Sequence, residues 1–197
     1  MSARTGDRKL QILQTLAQML EMPNAEKITT AALAAKIGVS EAALYRHFAS
    51  KAQMFEGLIE FIEQTLFGFI NKISSEETGG MKQIEAILSL LLGFASKNPG
   101  MTRVLIGEAL VHENERLQGR INQLQDRLEA TLKQCLRFAR SQEEIGEIDE
   151  AMEANLLMCF VVGRWHQYAK SGFRRDPMEF WPAQWVRLSK NLEIAQG

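Results

Sequence analysis

The sequence predicts an all-α protein, and three observations carry that expectation. Apolar residues recur at steps of three and four in one segment after another, the period of a helix that buries one face. No stretch of any length alternates apolar with polar residues in the manner of a half-buried strand. Only four prolines and two tyrosines occur in 197 residues, so few positions break helices. That length suffices for one large or two small units with a sizeable core.

Taken in order, the segments give about nine helices. Residues 1–6 are polar and read as a frayed end. Asp7 to about Met22 forms the first helix, with Ile12, Leu13, Leu16, Ala17 and Leu20 as its apolar stripe. Arg4, Arg8 and Lys9 lie near its start, where positive charge opposes the helix dipole. They are either phosphate contacts that relieve this opposition or a solvated basic end. Pro23, Asn24 and Ala25 make a link.

Thr29 to Lys51, TTAALAAKIGVSEAALYRHFASK, then reads as two short helices about a tight turn. Thr29 or Thr30 caps the first, Leu33, Ala34 and Ile37 share a face, and Gly38 ends it, since a residue without Cβ enters the left-handed region cheaply. Val39 plugs the turn and Ser40 caps the second helix. Leu44 and Phe48 point to the core. Glu41, Ala42, Tyr45 and Arg46 therefore lie largely off that face. This is the grammar of a helix-turn-helix whose second helix enters a major groove, and also of an ordinary packed helix pair. Under the first reading Ser40, Ala42 and Ala43 let the backbone approach DNA. Tyr45, His47 and Lys51 are placed for phosphates, and Arg46 for a phosphate or a base edge.

Ser50 with Gln53 forms a capping box that opens a long helix over 50–73, buried along Phe55, Leu58, Ile59, Ile62, Leu66, Ile70 and Ile73. Phe61 and Phe67 fall to either side of that stripe, covered by a neighbouring helix or left as a partner surface. The SSEETGG loop, 74–80, is the expected boundary between a DNA-binding domain, 7–52 with its connecting helix, and a C-terminal domain, 74–197. Met81 to Lys97 is helical, widened by Leu90 and Phe94. Asn98 caps the next helix with Pro99 at its first position, and Val104, Leu105 and Ala109 supply its apolar face. Asn114 to about Arg140 carries Leu117, Ile121, Leu124, Leu128 and Leu132, and an acidic loop fills 142–149. A helix over 151–170 follows, on which Asn155, Arg164 and His166 line either a ligand cavity or a dimer seam. Asp176 and Pro177 start the last helix, where Trp181, Trp185, Leu188 and Leu192 share a face. Two tryptophans on that stripe point to a dimer interface.

The net charge of −1 conceals an asymmetry: residues 1–51 carry seven basic and four acidic side chains, the remainder sixteen and twenty. A basic head on an acidic body suits contact with DNA through one end. No apolar run is long enough to span a bilayer and no signal-peptide core opens the chain, so a cytoplasmic protein is expected. Cys135 and Cys159 lack metal-binding spacing and read as buried thiols. No phosphate loop, HExxH, nucleophile elbow or paired-cysteine motif occurs, so neither catalysis, metal nor cofactor is expected.

The stretch ITTAALAAKIGVSEAALYRHFASKAQMFEGLIEF closely resembles the DNA-binding segment of TetR-family regulators, with its Thr-capped helix, its AxxxG(V)S turn, its YRHF tail and the Ser-Lys start of the next helix. The resemblance implies a three-helix helix-turn-helix domain and a helical dimerisation domain, a homodimer joined by its last two long helices, and palindromic double-stranded DNA read by Thr29, Thr30, Ser40, Glu41, Ala42, Ala43, Tyr45, Arg46, His47 and Lys51. The dimer residues are then Trp181, Trp185 and Leu188. GLIEFIEQTL, LLLGFASKNPGMTRVLIGEAL, RLQGRINQL and SGFRRDP further resemble the family's nucleoid occlusion factors, which oppose assembly of the division protein FtsZ over the chromosome. That resemblance places an FtsZ surface at Phe61, Leu90, Gly93 and Asn98. The chain departs from it at Phe69, where a basic residue is usual, and at Lys97, where an arginine is. The alternative implied by the wider family is a repressor that releases DNA when a small-molecule effector binds its C-terminal body.

Overall fold

A computed structural model of the chain describes residues 2–22, 28–190 and 192, with side chains from Gly6 onward. The link at Pro23, Asn24 and Ala25 lies outside the described residues, as does the side chain of Arg4. Nine α-helices occur among the described residues: α1 (Ser2–Leu20), α2 (Thr30–Ile37), α3 (Glu41–Tyr45), α4 (Lys51–Glu76), α5 (Gly80–Lys97), α6 (Pro99–Leu105), α7 (Glu115–Ser141), α8 (Glu150–Lys170) and α9 (Trp181–Lys190). A short 3-10 turn, Glu108–Leu110, precedes α7. The chain divides into two compact units, residues 1–63 with 98–121 and residues 64–97 with 122–197, so that α4 and α7 each contribute to both.

In the first unit the stripe expected on α1 is buried throughout, and so are Leu33, Ala34, Leu44 and Phe48 of the helix-turn-helix segment. α1 packs on α6, and the contact is backbone to backbone: a Cβ on Gly100 would collide with the carbonyl of Ala17. The same junction buries a cation. Arg103 Nη1 donates to the Met22 carbonyl at 2.9 Å, and its Nε lies 3.4 Å from the Glu108 carboxylate. A buried guanidinium persists only when paired and hydrogen-bonded, so it fixes the end of α1 against α6. Farther along, Glu56 meets Arg116 at 3.7 Å and Glu63 meets Arg120 at 2.6 Å, tying α4 to α7.

In the second unit α5 and α8 form the core. Trp165 is wholly buried, and its indole N–H donates to the carbonyl of Leu91 at 3.1 Å. Tyr168 donates its hydroxyl to the carbonyl of Ser96. α8 is capped by Asp149, which accepts from the amides of Ala151 and Met152. It ends at a turn where Gly172 and Phe173 both take positive φ, 64° and 63°. Trp181 and Trp185 stack in tilted fashion at 5.7 Å, and Phe160 meets Trp181 at 6.2 Å. Burial pushes the Cys135 thiol up to about 11 from 9.0. Cys159, read from sequence as buried, is exposed instead. It lies on the side of α8 turned away from Trp165, because six residues bring a helix round by nearly two-thirds of a turn.

Several boundaries move for local reasons. α1 begins at Ser2 rather than Asp7, since the polar opening holds no proline to stop it. α4 runs past Ile73 to Glu76, and α5 starts at Gly80 because Glu144 reaches back to cap the amide of Met81. α6 stops at Leu105, so Ala109 falls in the 3-10 turn and Leu110 is the residue buried there. Asn98 holds the N-cap position of α6 but its side chain makes no cap bond; instead its carbonyl accepts from both the amide and the hydroxyl of Thr102. The last helix starts at Trp181, not at Pro177. Arg164 takes the carbonyls of Asp176 and Pro177, at 2.8 and 3.2 Å, acceptors that a helix beginning there would need for itself.

The α1–α6 contact gives a direct test. Gly100→Ala inserts a methyl where backbone stands, and is expected to destabilise by about 1–3 kcal/mol, as overpacking does. Chemical denaturation of the variant, read as a lower midpoint at unchanged slope, checks it.

Candidate DNA interface

The interface is built from two helices too short to stand alone, each held by its ends. Thr29 Oγ1 accepts from the amide of Ala32 at 3.1 Å and starts α2. Gly38, at φ 77°, closes it, with the amides of Gly38 and Val39 donating to Ala35 and Ala34. Ser40 then caps α3 through the amide of Ala43 at 3.3 Å. α3 itself spans only Glu41–Tyr45, and the chain leaves it through a turn in which the amides of His47 and Phe48 both donate to the Leu44 carbonyl. Ser50 caps α4 through Gln53, while the Gln53 side chain reaches the amide of Ala49 rather than that of Ser50.

On the outer face, Tyr45 donates its hydroxyl to Thr30 Oγ1 at 3.3 Å, and Thr30 donates to Glu41 Oε2 at 2.7 Å. Three of the residues expected to touch DNA are therefore already joined, and the chain of bonds links the start of α2 to both ends of α3. Ala42 is exposed and Ala43 half-buried, leaving a low surface between them.

A cleft of about 400 Å³ lies beside α3, lined by Arg8, Val39, Ala43, Arg46 and His47. It brings the basic start of α1 onto the same surface as the tail of α3. Arg8 is steadied by Gln11 at 2.7 Å, and Lys9 lies over the Phe48 ring at 5.6 Å. Lys51, at the start of α4, is not free: its ammonium pairs with Glu113 and lies 5.7 Å from the Phe55 ring centroid. Glu113 sits between the 3-10 turn and α7, and no local pattern in the sequence links it to a residue 62 positions earlier.

The remaining expected positions are distributed. Phe61 and Asn98 belong to the first unit and Leu90 and Gly93 to the second; all four are half-buried. A Cβ on Gly93 would stand 3.9 Å from the Met178 sulfur, an ordinary van der Waals contact. Trp181 and Trp185 are buried within the single chain, and Leu188 is half-buried. The apolar residues exposed on the last two helices and the turn between them are others: Met152, Leu156, Phe180 and Val186. Asn155 and His166 line one cleft between α7 and α8, about 390 Å³, with Gln125, Asp126 and Glu129 opposite. Arg164 faces the α8–α9 connection instead. Among the described residues no group of three or more His, Cys, Asp or Glu could hold a metal, and no helix is long and apolar enough to cross a membrane.

Comparison with known proteins agrees with this architecture. The family model "Bacterial regulatory proteins, tetR family" matches residues 12–58, and the model "Tetracyclin repressor-like, C-terminal domain" matches 78–193. The nucleoid occlusion factor SlmA of Marinomonas sp. (strain MWYL1) is 52% identical over 195 residues, 98% of this chain and 99% of that protein. SlmA of Alteromonas mediterranea is 54% identical over 190 residues, 96% and 97% of the two chains. Among solved structures, a TetR transcription regulator from Haloarcula marismortui superposes with a TM-score of 0.82 over 96% of this chain and 100% of that one, at 15% identity, which speaks for the fold alone. The chain thus belongs to the TetR family of DNA-binding regulators and, within it, to the SlmA-type nucleoid occlusion factors.

Proposed function

We propose that the protein binds palindromic chromosomal DNA as a homodimer and opposes FtsZ assembly over the nucleoid, in the cytoplasm, without enzymatic activity. The observation that carries this reading is that 52% identity to a SlmA runs over 98% of the chain, and so includes the body as well as the DNA-binding segment. In the DNA head, α3 enters the major groove with Ser40, Ala42 and Ala43 toward the DNA. The Thr30–Glu41–Tyr45 bonds hold its angle, and the Arg8–Arg46–His47 cleft receives backbone phosphate. Lys51 and Thr29 flank the groove.

The dimer forms through α8 and α9. Met152, Leu156, Cys159 and Gly163 follow one another along the exposed side of α8, and Gly163 meets nothing within 4 Å of where a Cβ would stand. A second copy could approach closely there. Trp181 and Trp185 serve beneath that surface, keeping α9 on α8, rather than as its outermost contacts. By the same resemblance FtsZ is contacted by Phe61 and Asn98 in the first unit and by Leu90 and Gly93 in the second, where Phe69 is a 53% exposed apolar residue.

A second reading has one observation in its favour. The α7–α8 cleft has the volume of a small ligand site and several convergent polar groups, so a ligand-gated repressor would place its effector there. Release of DNA by a small molecule, prevented by substitutions at Asn155 and His166, would establish it.

Genome-wide occupancy is the primary experiment. Many dispersed palindromes, mostly outside promoters, support the nucleoid occlusion reading, whereas one or two promoter sites overturn it. Three variants test its parts. Arg8→Ala or Arg46→Ala should weaken DNA binding and each flatten the slope of log affinity against log salt by about 0.9 per head, the value for one lost phosphate contact on duplex DNA. Phe61→Ala should leave DNA affinity unchanged and abolish the effect on FtsZ polymerisation in a light-scattering assay. Met152→Glu with Leu156→Glu should give a folded monomer by sedimentation and remove cooperative binding to two half-sites.

A further inference from the structure

The pairing of Lys51 with Glu113 is the least expected contact in the DNA head. Lys51 is the first residue of α4, directly after the Ser50 cap, where the proposed function places DNA backbone. Its ammonium is occupied by the carboxylate of Glu113, whose side chain retains only 14% of its exposure against 31% for Lys51. The carboxylate is held in place: the Glu113 amide donates to the Leu110 carbonyl at 2.9 Å, and α7 begins two residues later. The neighbouring α4–α7 pairs have the opposite polarity. At Glu56–Arg116 and Glu63–Arg120 the anion is on α4 and the cation on α7. At Lys51–Glu113 the cation is on α4 and the anion lies just ahead of α7.

We propose that Glu113 competes with the DNA backbone for Lys51 and thereby sets the affinity of the head below the maximum its charges allow. A phosphate that reaches the Lys51 ammonium arrives beside a fixed carboxylate. Two anions on one ammonium repel each other, so the phosphate contact forms only as the Glu113 pair loosens. The phosphate still sheds its salt cation, but the carboxylate that Lys51 releases attracts a salt cation in turn, so fewer cations are set free on balance. This lowers both the affinity and its salt dependence. A protein that occupies dispersed sites reversibly gains from such a device, because the head stays selective without gripping every stretch of duplex. The inference rests on the proposed role of Lys51 at the DNA backbone and adds a residue from a distant loop to that site.

The test uses the full-length protein, a duplex carrying one palindrome, and affinity measured across a salt series. Glu113→Gln keeps the shape and the acceptor oxygen but removes the charge. It should tighten binding by about two- to fivefold per head, the range of a partly exposed ion pair. It should also steepen the slope of log affinity against log salt by up to about 0.9 per head. In a Lys51→Ala background the same substitution should give no gain, which separates release of Lys51 from a general loss of negative charge. Unchanged or weaker binding by Glu113→Gln overturns the proposal, as does a gain that persists without Lys51. If Lys51→Ala alone leaves DNA affinity intact, the placement of Lys51 at the backbone fails and the competition falls with it. If Lys51→Ala weakens binding while Glu113→Gln changes nothing, that placement stands and only the competition is wrong.

Discussion

Helices of eight and five residues do not form in water by themselves, because nucleating a helical turn costs more than so few hydrogen bonds return. The reading head depends on overcoming that constraint. Thr29, Gly38 and Ser40 each satisfy backbone groups at a helix end, and an N-cap hydroxyl such as that of Thr29 or Ser40 contributes about 0.5–2 kcal/mol in typical cases. Leu33, Ala34, Leu44 and Phe48 then bury the inner faces in the first unit. What is left outside, Thr30, Glu41 and Tyr45, is bonded together rather than left mobile. A head assembled this way meets DNA largely pre-ordered, and ordering its side chains takes less from the binding energy.

Charge acts differently in the two places where it is concentrated. Arg103 is buried at the α1–α6 junction, where a carbonyl and a carboxylate complete it, so its role is to fix how the first helix meets the sixth. Arg8, Arg46 and Lys51 lie at the surface, where their value to stability is small and their value to a polyanion is large. The net charge near zero therefore says little about DNA affinity; the local arrangement decides it.

Much of the fold was legible because it rests on local chemistry. The stripes of α1 and α7 follow the helical period and are buried as read, that of α4 is buried as far as Ile70 with Ile73 half-buried near the helix end, and the turn between α2 and α3 needed only Gly38 and its flanking caps. The outward face of the helix-turn-helix was legible for the same reason, since position on a short helix decides which side chains point outward. What escaped were interactions between residues far apart in sequence. Glu144 starts α5 from 63 residues away, Arg164 delays α9 by claiming two carbonyls, and Glu113 occupies Lys51. Periodicity also could not tell which of two apolar sets on the last helices faces inward. Trp181 and Trp185 are large and well placed for an interface, yet Phe160 and the rest of the second unit bury them in one chain. The exposed set, Met152, Leu156 and Val186, lacked so conspicuous a marker.

The α4–α7 ion pairs have a use beside the apolar stripes that both helices bury. Glu56–Arg116 is largely exposed on the arginine side and adds little to stability; Glu63–Arg120, shorter and better covered, adds more, within the roughly 0–1 kcal/mol typical of such pairs. Interdigitated apolar side chains already resist sliding, because a displaced side chain meets no matching gap. Carboxylate–guanidinium pairs at fixed positions penalise that slide, because each ion would lose its partner while staying partly buried. Register matters here more than energy. In the proposed dimer the two recognition helices must match half-sites about one helical turn of DNA, roughly 34 Å, apart. α4 carries the reading head at its N-terminal end. Fixing α4 along α7 therefore fixes where that head begins, and a shift of one residue, about 1.5 Å along a helix, would be felt directly at the DNA.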